Sequence, residues 1–175
     1  MLKTIFAAFL ITLIAQFAII NTQAAPLYGA NVVKLEKSDY SYGVGSAEKK
    51  WCLNPFHTLD CVTAKDLADE ALKSAQDNFS NDQLHNGPGD AYRHCYWSGL
   101  LTFEFGESEA KGFGDRHEDF PENPSGEKAM DLHNNGVGRT IAQQLDKDGK
   151  KGNKAALSTA CKQAVSDGRL ITKPN

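Results

Sequence analysis

The stretch that decides the fold is Pro88-Gly89-Asp90-Ala91-Tyr92-Arg93-His94-Cys95-Tyr96-Trp97-Ser98-Gly99-Leu100-Leu101-Thr102-Phe103-Glu104-Phe105. Asn86-Gly87-Pro88-Gly89 is a firm break, and a proline is well placed in the first turn of a helix, where its missing N–H is not needed. Gly106 supplies the stop. Between them, Ala91, Tyr92, Cys95, Tyr96, Trp97, Leu100, Leu101, Phe103 and Phe105 leave no polar face. A helix that is apolar nearly all round is central and buried, with other helices around it.

Working outward, the flanking segments supply those neighbours. Ala64, Leu67, Ala68, Ala71, Ala75 and Phe79 recur at helical spacing, with Thr63 as the predicted N-cap. A third helix is predicted from Glu107 to Asp119, ended by Pro121-Glu122-Asn123-Pro124. Ser125 is read as the cap of a fourth, running to Leu145, and Asn153 as the cap of a fifth, ending near Gly168. Asp146-Lys147-Asp148-Gly149 begins like a calcium loop but lacks the later acidic ligands, so it is read as a turn. The expected architecture is all-α: a bundle of about five helices over residues 51–175, with residues 25–50 as an extended arm holding a short strand at 30–35.

Before the arm, Lys3 and the apolar run Ile5–Ile20 precede Asn21-Thr22-Gln23-Ala24. That pattern reads as a secretory signal peptide over residues 1–24, and the chain is expected to be secreted. Its removal takes Lys3 away and moves the formal net charge from −3 to about −4. An acidic balance without a basic stripe argues against nucleic acid as a partner. No later segment is apolar for long enough to span a bilayer, and a monomer acting on a target outside the cell is expected. Four cysteines on an exported chain imply two disulfides. Cys52 and Cys61 close one loop and are expected to pair. Cys161, on the stripe of Leu157, Ala160, Ala164 and Val165, is expected to staple the last helix to Cys95. Asn78-Phe79-Ser80 is a glycosylation sequon, relevant only in a eukaryotic host.

Polar residues on the inward faces locate a candidate site. Asp90, Arg93 and His94 stand in the first turns of the apolar central helix. Ala110, Phe113, Gly114 and His117 share a face, with Glu118 beside it. Met130, Val137, Ile141 and Leu145 form a stripe that contains Asn134, and Asp131, Asn135, Gly138 and Ala142 form the adjacent one. Buried unpaired charges cost several kcal/mol, so these groups must meet partners. Plain structural roles exist for each: Asp90 as a helix cap, the histidines as hydrogen-bonded core residues, Arg93 as partner of Asp131 or Glu118. Together they exceed what a core of this size ordinarily tolerates. His133 points more to the side.

Asp90-Ala91-Tyr92-Arg93-His94, His117-Glu118 and Asp131-Leu132-His133-Asn134-Asn135, in that order, resemble an uncharacterised family of exported bacterial domains that includes modules of toxin-like proteins. The resemblance spans about residues 50–145. It implies an all-α fold and an enzymatic role not yet demonstrated for the family.

Two functions compete. In the first, the chain is a hydrolase acting as a toxin or effector, with a phosphoester or lipid-type substrate. His94, His117, Glu118 and Asp131 are the candidate catalytic groups, and Asp90, Arg93, Asn134 and Asn135 bind or orient. His94, His117 and Asp131, with Asp90 or Glu118, would hold a divalent metal such as zinc or manganese. The ligand spacing matches no established zinc motif, and a metal-free variant uses a histidine as general base with Arg93 or the asparagines on an oxyanion. In the second, the chain is a secreted effector or antimicrobial protein that acts by binding, and its polar network only fixes the bundle.

Overall fold

A computed structural model describes residues 46–175. The predicted signal peptide and residues 25–45 of the predicted arm lie outside the described residues. The described chain forms six α-helices and one 3-10 turn: α1 Ser46–Cys52, α2 Thr58–Asn78, the 3-10 turn Asn81–Gln83, α3 Pro88–Phe105, α4 Glu107–His117, α5 Ser125–Lys147 and α6 Lys154–Ser166. No strand occurs among the described residues.

Helix α3 is the central element. It packs against α2, α4, α5 and α6, and of the fourteen residues from Gly89 to Thr102 all but Arg93 are buried. Its start follows the chemistry of the break. Gly87 is the extended N-cap and Pro88 opens the first turn. Gly106, at φ +85°, then turns the chain into α4, a conformation that residues with a Cβ resist.

Buried polar atoms of α3 tie it to its neighbours. The Tyr92 hydroxyl lies 2.6 Å from Ser74 Oγ on α2 and 2.7 Å from Ser158 Oγ on α6. Trp97 donates from Nε1 to the Ala64 carbonyl, 3.2 Å away. Against α5 the approach is closer still, because a Cβ on Gly138 would stand 2.0 Å from the Cys95 carbonyl oxygen. Both predicted disulfides are present, Cys52–Cys61 and Cys95–Cys161, and no described cysteine is free.

The helix ends differ from the sequence reading in three places. Residues 46–52 are helical, where residues 46–50 were expected in the arm, because Glu48 is buried and Trp51 sets its ring against Phe113 of α4, centroids 5.0 Å apart. Helix α2 starts at Thr58, so Thr63 lies inside it and caps nothing. Ser125 is the first residue of α5, and Pro124 occupies the cap position without a side-chain hydrogen bond. Asn153 does cap α6, accepting from the Ala156 amide at 3.0 Å.

Beyond α6 the C-terminal tail lies along α5. Leu170 is buried, and Asn134 clasps the backbone of Ile171, donating to its carbonyl and accepting from its amide at 2.9 Å each. His133 donates from Nε2 to the Arg169 carbonyl at 2.9 Å. No helix among the described residues is long and apolar enough to cross a membrane.

Candidate functional site

Three elements bring polar groups together where the first turns of α3 face α5 and the end of α4. Asp90 stands in the first turn of α3, where its Oδ2 accepts from the Asn86 amide at 2.8 Å. The expected capping role is not met, because Gly87 is the N-cap and no side chain caps the helix; this oxygen instead ties down the turn that precedes it. The other oxygen, Oδ1, accepts from Arg93 Nη2 at 2.6 Å and lies 3.6 Å from His94 Nε2. From α5, Asp131 places Oδ1 3.3 Å from the same His94 nitrogen. From the end of α4, Glu118 places Oε1 3.9 Å from His94 Nδ1. Its other oxygen accepts from Asn123 Nδ2 at 2.9 Å.

His94 is thus surrounded by three carboxylates, and it is 2% exposed. Arg93 donates from Nη2 to His94 Nε2 at 2.7 Å, so Nε2 carries a lone pair and the ring proton belongs on Nδ1. Burial, reinforced by the Arg93 guanidinium, holds the imidazole pKa well below its usual value. The carboxyls diverge. Burial pushes Asp90 up, but Arg93, His94 and the Asn86 amide outweigh it and leave Asp90 below the usual range. Burial raises Glu118. Burial, with the charges of Glu118 and Asp90, raises Asp131 to about 8. At neutral pH, Asp131 is the carboxyl that holds a proton.

Among the described residues, nine buried side-chain atoms lack a well-formed hydrogen bond, and five of them lie here: His94 Nδ1, Glu118 Oε1, Asp131 Oδ1, and both Nδ2 and Oδ1 of Asn135, whose carboxamide faces His94 closely enough to oppose the lowering of its pKa by burial. Buried polar atoms are nearly always paired in stable proteins, so five orphans on four neighbouring residues are a departure that calls for a chemical reason. Asn135 sits beside Gly114 of α4, where an added Cβ would stand 3.1 Å from its Nδ2. Gly114 is what leaves that carboxamide its place.

Residues 50–169 match the profile of a family described as a domain of unknown function, DUF6973. The chain belongs to this family. The match runs past residue 145, where the motifs of the sequence reading end, and takes in Cys161 and its disulfide to α3. No solved structure matches this DUF6973 chain.

Two predicted site residues of the DUF6973 domain make their close side-chain contacts outside the ligand set, although the charge of His117 still reaches His94 and Glu118. His117 lies 3.1 Å, through Nδ1, from Glu48 Oε2 of α1, and its ring meets Trp97 edge-on at 5.1 Å. Among the described residues, the ligand atoms lying within 4.8 Å of one another belong to Asp90, His94 and Asp131, so Asp90, expected as an alternative to Glu118, joins His94 and Asp131, and His117 does not. The reason is positional: His117 closes α4 on the side that α1 covers. Asn134, predicted among the binding groups, has both side-chain atoms engaged by the tail. Glu48 and Asn123 went unread in the sequence. Glu48 has two lysines after it and no apolar stripe around it, and Asn123 lies in a stretch read only as a helix breaker.

Proposed function

We propose that the protein is an exported metal-dependent hydrolase, a toxin or effector, in which Asp90, His94 and Asp131 bind a divalent cation such as zinc or manganese. The observation that carries this reading is one of charge. Three buried carboxyls, Asp90, Glu118 and Asp131, face a single guanidinium around one imidazole. Buried anions without counter-charge are costly, and a proton on Asp131 or a cation beside it makes up the deficit.

The spacing supports the same reading. Ligand atoms held about 2.0–2.2 Å from zinc at tetrahedral angles are about 3.3–3.6 Å apart. His94 Nε2 lies 3.3 Å from Asp131 Oδ1 and 3.6 Å from Asp90 Oδ1. Arg93 Nη2 stands against the same Nε2 and Oδ1. Its side chain, 25% exposed against 2–12% for the others, is the one with room to move outward and hold an anionic oxygen of a phosphoester or phospholipid. When bound, such a cation supplies an acidified water. Glu118, raised by burial and 3.9 Å from His94 Nδ1, is placed to take a proton, and Asn135 to orient the substrate. The disulfides agree with an oxidising compartment outside the cell.

A metal-free form of the same chemistry is favoured by one contact, the guanidinium already bridging His94 and Asp90. There the protonated Asp131 is the general acid and Arg93 binds the oxyanion. Calorimetric titration of the metal-stripped protein with zinc and manganese separates the two. The proposal expects one equivalent bound, a hundredfold or greater loss in Asp131→Asn and His94→Gln, and affinity that rises with pH up to about 8 as Asp131 gives up its proton. Hydrolysis of phosphoester or phospholipid substrates by fully chelated protein would sink the metal reading and leave the acid–base one. Target binding that persists in His94→Gln and His117→Gln without any turnover would instead establish a non-catalytic effector.

A further inference from the structure

The loop closed by the Cys52–Cys61 disulfide turns apolar side chains outward. Leu53 is 82% exposed, Phe56 88%, Leu59 79% and Val62 54%. These are the large exposed hydrophobics of the described chain, and they fall within ten residues of one another. Clustered apolar exposure of this kind marks an interaction surface.

The loop is also stiff. A disulfide closes its base. Trp51 stacks on His57 with centroids 3.9 Å apart, and the Arg116 guanidinium lies 4.0 Å from the Trp51 ring. Thr58 Oγ1 donates to the Cys52 and Asn54 carbonyls at 3.3 and 3.2 Å. The Phe56 amide donates to Asn54 Oδ1 at 3.1 Å. The apolar tip is therefore held out by its scaffold.

Charge identifies what it meets. A groove of about 470 Å³ is lined by Leu53, Cys61 and Val62 together with Lys49, Lys65 and the buried Glu48. Lys49 and Lys50 are exposed on α1, and neither forms an ion pair among the described residues, whereas Lys65 pairs with Asp69. Asp66, the exposed acid on the Val62 stripe, is a further turn away from the loop. Apolar side chains flanked by free ammonium groups suit the boundary between acyl chains and anionic headgroups. A second protein copy fits less well, since a standard interface engages about 20–30 residues a side and this tip offers far fewer.

We propose that the tip docks the protein on an anionic lipid surface, with Leu53 and Phe56 entering the acyl boundary and Lys49 and Lys50 facing lipid phosphates. This does not depend on how the His94 cluster works. The test is sedimentation of the chain from Ala25 onward with vesicles of phosphatidylglycerol and phosphatidylcholine, against phosphatidylcholine alone. Binding is expected to the anionic vesicles and to weaken with salt. Leu53→Ser with Phe56→Ser should weaken it tenfold or more while leaving circular dichroism and Tm unchanged, and each of Lys49→Gln and Lys50→Gln should weaken it roughly fivefold. No vesicle binding, or binding indifferent to the tip substitutions, would overturn the proposal. So would a dimer in sedimentation equilibrium that the same substitutions dissolve, or cross-links joining the tip to residues 25–45.

Discussion

Asn134 and Asn135 are adjacent on one helix, both completely buried, and chemically identical, yet they stand in opposite conditions. Asn134 has its carboxamide fully matched by the backbone of Ile171. Among the described residues Asn135 finds no well-formed hydrogen bond for either side-chain atom, its carboxamide only facing His94, and Asp131, one turn earlier, leaves Oδ1 unmatched too. One stripe of α5 holds the tail, and the other faces His94. The lesson is that burial of a polar group does not separate scaffold from site. Satisfaction does: a scaffold closes its hydrogen bonds internally, and a site leaves them for something else.

That contrast breaks most easily at its scaffold end. Asn134→Ala removes two hydrogen bonds, leaves the Ile171 amide and carbonyl unmatched and opens space in a sealed region. A loss of ~3 kcal/mol is expected in urea unfolding, with metal affinity within twofold of the parent protein. A tenfold fall in affinity would show that the two stripes are not separate devices.

Asp131→Asn works the other stripe, and its sign is opposite. The carboxyl is raised from 3.8 to about 8 in the folded protein. Between about pH 4 and pH 8 the native state keeps a proton that the unfolded chain has released, so stability falls as pH rises through that window. The asparagine variant lacks that slope. In chelator it should equal or exceed the parent at pH 8 by ~2 kcal/mol, with the advantage shrinking towards pH 4. Parallel stability curves for the two proteins would remove Asp131 as the proton-bearing group.

The smallest effect belongs to Gly114→Ala. The new methyl meets Asn135 Nδ2 at 3.1 Å, so the carboxamide must shift by a few tenths of an ångström, at ~1 kcal/mol. Because Asn135 is assigned to the substrate rather than to the cation, KM should rise while metal affinity holds. A change in metal affinity alone would move Asn135 into the ligand shell.

Much of this was visible in the sequence, and the failures have causes. The central helix announced itself through composition, its start through Asn86-Gly87-Pro88-Gly89, and the disulfides through the Cys161 stripe. The polar residues on inward faces led to His94, Asp90, Glu118 and Asp131, because helical spacing fixes which residues share a face. It does not fix how far along a neighbouring helix each one lands. That is why His117 was grouped with His94, although it finds Glu48, 69 residues away in sequence. Asn134 was visible as an intruder in an apolar stripe, but its partner is a backbone segment of the tail, which has no pattern to read. Helix α1 was missed because seven residues around one buried glutamate show no periodicity. The start of α2 was misplaced because Leu59 and Val62 face solvent, which erases the amphipathic signal in its first turns.

Cys95 is the residue next to His94, and it is fixed twice. Its sulfur is bonded to Cys161, and its carbonyl oxygen lies so close to α5 that only a hydrogen is tolerated at Gly138. One anchor is covalent and the other steric, and neither involves a titrating group. The separation between His94 and Asp131 is therefore set by the frame rather than by what lies between them. Such a socket keeps its dimensions when the protonation of its groups changes, and the proposed cation or substrate would enter it with little reorganisation.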